Sequence, residues 1–103
     1  MDERQLIDAL AQVMGWEVDR NGFFDGEYVR PNWNPLQNIA DAWMLVEKLT
    51  ERADFALEKD CDSSGWICEV TLALNYVRVG KGETAQEAIC NAVYALWESG
   101  GEA

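Results

Sequence analysis

Residues 53–80, ADFALEKDCDSSGWICEVTLALNYVRVG, decide the fold. Phe55 and Leu57 alternate with Asp54, Ala56, Glu58 and Asp60. Beyond the polar stretch DCDSSG, Trp66, Cys68, Val70, Leu72 and Leu74 alternate with Ile67, Glu69, Thr71 and Ala73. A period of two sends successive side chains to opposite faces of a strand, so this stretch predicts a β-hairpin. Its second arm carries apolar residues on both faces, which predicts a central strand.

The flanking segments change period. In WNPLQNIADAWMLVEKL, residues 33–49, Asn34 fits an N-cap, Pro35 the first helical position and Gln37 the place that reaches back to the cap. Ile39, Ala42, Trp43, Val46 and Leu49 form an apolar stripe. This predicts a helix to about Arg52 with Trp43 in the core, and leaves the burial of Trp33, ahead of the cap, open. GKGET at 80–84 reads as a loop. Thr84 and Glu87 then form a capping box for a last helix that buries Ala85, Ala88, Ile89, Ala92, Val93 and Leu96 and stops at Gly100-Gly101.

At the other end, DERQLIDALAQVM (2–14) spaces Leu6, Ile7, Leu10, Val13 and Met14 as a helix. Asp2 is placed to cap it with Gln5, and Gly15 to end it. Trp16 and Val18 then alternate with acids. Asn21-Gly22 and Asp25-Gly26 are turn dipeptides. They predict a hairpin with Phe23 and Phe24 on one side, Tyr28 and Val29 on the other, and Pro31 at its end. The whole is an α+β fold of one domain, 1–103. An antiparallel sheet of about four strands packs with three helices in the order α-β-β-α-β-β-α, sandwich-like.

Charge restricts function. Nineteen Asp and Glu face eight Lys and Arg, a formal net charge of -11 over 103 residues. Phosphate contacts need Lys and Arg, so direct binding to nucleic acid or to an anionic membrane is not expected. A basic partner is. The first residues, MDERQL, are acidic and polar and predict no signal peptide. No apolar run reaches membrane-spanning length. Three cysteines without framework spacing read as reduced thiols.

Little in the chain suggests catalysis. It has no histidine, which removes Ser-His and Cys-His nucleophiles. Cys68 and Cys90 fall on apolar faces. Cys61 lies between Asp60 and Asp62, whose charges disfavour a thiolate. Asp60, Asp62, Ser64 and Gly65 match the first half of a calcium loop, but Thr71 stands where the bidentate Glu belongs. A polar hairpin turn is the simpler reading. GKGET lacks the spacing of a phosphate loop. The expectation is a non-enzymatic protein without cofactor or metal.

Two features suit binding. Asp54, Glu58 and Asp60 share one face of the first arm, in i to i+2 steps of roughly 6.8 Å. Asp62 follows, and Asp25 and Glu27 add charge from the other hairpin. Such an array either solubilises the protein or imitates a nucleic-acid backbone inside a Lys/Arg-lined channel. The second feature is GFFDGEYVRPNW, dense in aromatics, with Trp33 as a candidate partner contact. The predicted partner-binding residues are therefore Asp54, Glu58, Asp60, Asp62, Asp25, Glu27 and Trp33.

Three segments also carry a resemblance. VMGW (13–16), WNPLQNIADAWMLVEKL (33–49) and ETAQEAICNAVYAL (83–96) resemble, in this order, the phage ABA-sandwich domain family. Leu36-Gln37-Asn38 departs from the Ser-Thr-Asp often found there. The resemblance implies a sheet between helical layers and a phage or prophage origin. In size, charge and family the chain also resembles the anti-CRISPR proteins that block type II-A Cas9. That implies Cas9 or its guide complex as partner, in the cytoplasm of the infected bacterial host. Two alternatives stand beside it. One is a binder of a nucleotide signal using Lys81, Arg78 and Arg30. The other is a phage accessory or structural interaction module.

Overall fold

In a computed structural model, residues 3–20, 22–51, 53–62, 64–72 and 76–98 are described, with the backbone alone for Asp19 and Tyr76. The elements are α1 (Glu3–Val13), β1 (Glu17–Asp19), β2 (Gly22–Phe24), β3 (Val29–Arg30), α2 (Ile39–Leu49), β4 (Ala53–Lys59), β5 (Trp66–Leu72), β6 (Tyr76–Gly82) and α3 (Ala85–Glu98). The fold is α+β and sandwich-like, as the sequence predicts. The strand count differs: among the described residues six strands form two antiparallel three-stranded sheets, ordered β1-β2-β3 and β4-β5-β6.

The second sheet contains the predicted hairpin with β5 at its centre. Its register pairs Leu57 with Cys68 and Cys68 with Gly80. In this sheet the unpredicted strand is β6, which runs through Gly80 and Lys81 to Gly82, where a loop was expected. Those glycines admit α3. A Cβ on Gly80 would lie 2.6 Å from the Ala88 carbonyl oxygen, and one on Gly82 would lie 2.8 Å from the Ala88 nitrogen. The glycines thus mark a close helix–sheet approach, and the strand continues through them.

α3 lies on β6 and β5 and barely reaches β4, while α1 and α2 pack against α3. The core joins Leu10, Leu45, Leu49, Val70, Ile89 and Val93, all at most 2% exposed. The helices thus occupy one side of this sheet, where the resemblance implies helices on both. Its other face meets solvent.

Local signals explain the boundaries. α1 ends in a Schellman turn: the Trp16 N–H donates to the Ala11 carbonyl, the Gly15 N–H to that of Gln12, and Gly15 takes φ +81°. α3 starts with the predicted capping box. Glu87 N–H donates to the Thr84 hydroxyl at 3.2 Å, and the Glu87 carboxylate accepts from the Thr84 and Glu83 N–H groups. Its expected end at Gly100-Gly101 and the Asp2 cap of α1 fall on residues outside those described. α2 stops short of the expected Arg52: Leu49 is its last residue and Thr50 its C-cap, whose N–H donates to the Val46 carbonyl.

α2 starts later than predicted. Asn34 closes a single turn, accepting from the backbone of Gln37 and Asn38, and its Oδ1 accepts from the Leu36 N–H. The helix proper is capped by Asn38, whose Oδ1 accepts from Ala40 and Asp41. Asp41 reaches back to the Asn34 N–H at 2.9 Å. Two overlapping cap signals stand four residues apart, and the second begins the helix.

Candidate functional site

The open face of β4-β5-β6 assembles from strand alternation and register. β4 sends Asp54, Ala56 and Glu58 outward, all exposed. β5 contributes Ile67, Glu69 and Thr71, with Glu69 directly beside Ala56. β6 adds Val77, Val79 and Lys81. Glu69 is therefore the diagonal neighbour of both Asp54 and Glu58, with Cα separations of roughly 7–8 Å. Three exposed carboxylates form a triangle, bordered by Val77 and Val79, which are 39% and 46% exposed. Sequence reasoning missed Glu69. Its alternation with Trp66 and Cys68 placed it on this face, but only the register sets it between the two β4 acids.

The other predicted acids have different surroundings. Asp60 leaves the strand and opens the turn. Its N–H donates to the Gly65 carbonyl, and its carboxylate accepts from the Asp62 N–H at 3.0 Å. That is the polar hairpin turn, with Asp62 exposed beyond it. Asp25 and Glu27 belong to the β2–β3 turn of the first sheet, and the triangle to the second. Asp25 does not present a free charge, contrary to expectation. Its carboxylate accepts from the N–H groups of Tyr28 (2.8 Å) and Glu27 (2.9 Å) and pairs with Arg30 at 2.9 Å. Those backbone donors, followed by Arg30, hold its pKa below the ordinary carboxylate value. Its contribution to stability is present above about pH 4 and is lost as pH falls through the lowered value. Glu27 stays exposed.

The tryptophans exchange their predicted roles. Trp33 is 5% exposed, so the expected partner contact is a core residue. Its ring meets Trp16 edge-on at 4.9 Å and Phe23 at 5.6 Å, and the Arg30 guanidinium lies over Trp16 at 5.0 Å. Trp43, expected in the core, is 49% exposed. The buried stripe of α2 is Ala42, Leu45, Val46 and Leu49. Ile39 and Trp43 lie at its margin, because docking on α3 selects one of two overlapping apolar stripes. Of the hairpin's aromatics, Phe23 is buried and Phe24 and Tyr28 are exposed.

Cys68 and Cys90 are buried, and desolvation first, then nearby carboxylates, raises their thiols to about 11 and about 12. Cys61 is exposed. The N-terminus of α3, where GKGET hinted at a phosphate, is occupied by the Glu87 carboxylate of the same chain. The three cations of the nucleotide alternative do not converge: Lys81 and Arg78 project to opposite faces of β6, and Arg30 sits in the other sheet. Among the described residues no helix is long and apolar enough to cross a membrane.

These features define a small acidic α+β domain with an uncovered sheet face bearing a carboxylate triangle beside exposed valines. The profile of the Phage ABA sandwich domain matches residues 10–94, and the chain belongs to that family. No curated protein and no solved structure matches it.

Proposed function

We propose that the chain is a phage-encoded, non-enzymatic inhibitor of a host defence nuclease, acting in the cytoplasm of the infected bacterium, with type II-A Cas9 or its guide complex as the partner. The observation that carries this reading is the uncovered face with Asp54, Glu58 and Glu69. Cas9 holds its heteroduplex in a positively charged channel and reads a short duplex motif with arginines. A rigid face of carboxylates competes there for the same guanidinium and ammonium groups. A chain of net charge -11 is drawn towards such a channel at long range. No cofactor is needed for this action.

The test is Cas9 target cleavage with the protein titrated in, at low and high salt. The wild type is expected to inhibit, less strongly at high salt. The Asp54→Lys, Glu58→Lys, Glu69→Lys variant is expected to lose at least about tenfold in potency, equivalent to roughly 1.4 kcal/mol, with an unchanged circular dichroism spectrum. Equal potency in that folded variant removes the acidic-face mechanism. A lack of inhibition by wild type removes Cas9 and leaves the nucleotide-signal and phage structural-module readings.

A further inference from the structure

β4 is an edge strand, and the hydrogen-bond parity of the sheet tells which of its backbone groups are free. The Asp60 N–H donates to the Gly65 carbonyl, so Asp60 and Gly65 are a hydrogen-bonded pair of the ladder. Counting back by two, Glu58–Ile67, Ala56–Glu69 and Asp54–Thr71 are bonded pairs as well. The far side of the sheet agrees: the Lys81 and Val77 carbonyls accept from Asn91 and Arg78 side chains, so those residues turn their backbone away from β5. It follows that Phe55, Leu57 and Lys59 direct their N–H and C=O groups outward, and no other strand among the described residues pairs with them.

This edge is two-sided in chemistry. On the open face it carries Asp54 and Glu58, with Glu69 behind. On the helix side it carries Phe55, partly buried, and Leu57, 36% exposed because α3 barely reaches β4. We propose that β4 is the docking edge for an extended partner segment of alternating basic and apolar residues, which joins the sheet as its fourth strand. The segment's main chain bonds Phe55, Leu57 and Lys59. Its basic side chains lie on the acidic face, and its apolar ones cover Phe55 and Leu57. The inference rests on the proposed function only for the basic character of the partner. A second copy is the weaker occupant, because two chains of net charge -11 repel one another.

The probe is a short peptide of alternating lysine and valine, titrated into the full chain and followed by amide NMR and hydrogen exchange. Slowed exchange at the Phe55, Leu57 and Lys59 amides is expected. Those of Ala56 and Glu58, already bonded to β5, should change little. Leu57→Pro removes one outward N–H and spares the β4–β5 ladder. It should weaken peptide binding by about tenfold, near the upper worth of one such bond. Shifts confined to the acidic side chains, without protection of the three amides, overturn the proposal, as does unchanged binding by a folded Leu57→Pro. Concentration-dependent dimers abolished by Leu57→Pro also overturn it, by making a second copy the occupant. Failure to inhibit Cas9, measured separately, strikes the proposed function and not the edge.

Discussion

Gly80→Ala tests the helix–sheet contact on which the open face depends. A Cβ built on Gly80 lies 2.6 Å from the Ala88 carbonyl oxygen and 2.6 Å from the Asn91 carbonyl carbon. Ordinary contact needs roughly 3.5 Å or more, so α3 and β6 must separate by about 1 Å. The obstacle is helix backbone, which cannot swing aside as a side chain does. Separation would loosen Cys68, Val70, Ala88 and Ala92, all fully buried at this interface. Overpacking of this kind costs about 1–3 kcal/mol and sometimes more; with backbone as the obstacle, about 3 kcal/mol is expected. A domain of this size shifts its Tm by about 4–8 °C per kcal/mol, giving a fall of about 12–24 °C. The assay is urea and thermal unfolding of Gly80→Ala beside Gly15→Ala. At Gly15 a Cβ meets nothing within 4 Å, and only the φ of +81° resists it. The control should cost about 1–2 kcal/mol. A Gly80→Ala protein no less stable than the control would refute the close approach, and with it the placement of β6.

Trp33→Ala should cost about 3–5 kcal/mol, as for a fully buried aromatic. Trp43→Ala should cost about 1 kcal/mol or less; denaturant midpoints of the two variants check the order, and the reverse order would restore the sequence-based assignment. In a thiol-labelling assay at pH 8, Cys61 should react fast, and Cys68 and Cys90 only at the rate of unfolding. Because burial raises those two thiols from about 9 to about 11 and about 12, their contribution to stability is intact below about pH 9. It declines as pH rises through the raised values. Unfolding free energy measured from pH 8 to 11 should therefore fall, and less steeply in a Cys90→Ala background.

Much of the architecture was legible because its signals are local. Gly15 stops α1 through backbone bonds within five residues, and Thr84–Glu87 caps α3 through a box of four. The alternation of 53–72 needs no partner to declare a strand, and β5 declares itself central by being apolar on both faces. What the sequence could not rank were signals of equal local quality. Asn34 and Asn38 both cap, yet only one begins a helix. Trp43 and Leu45 both extend an apolar stripe, and docking on α3 decides that Leu45 is buried. GKG has the composition of a loop, and only the helix lying across it makes those glycines a strand.

The same division holds for the candidate site. Composition alone set the sign of the net charge, because net charge is a sum that folding does not alter. Which carboxylates act together is a matter of register and hydrogen bonding between residues distant in sequence. Register placed Glu69 between Asp54 and Glu58, and backbone donors drew Asp25 into its own turn. Aromatic packing took Trp33 into the core. Strand parity left the backbone of Phe55, Leu57 and Lys59 facing outward. Pairing across a sheet is chosen by long-range contacts, and a chain read one residue at a time does not contain them.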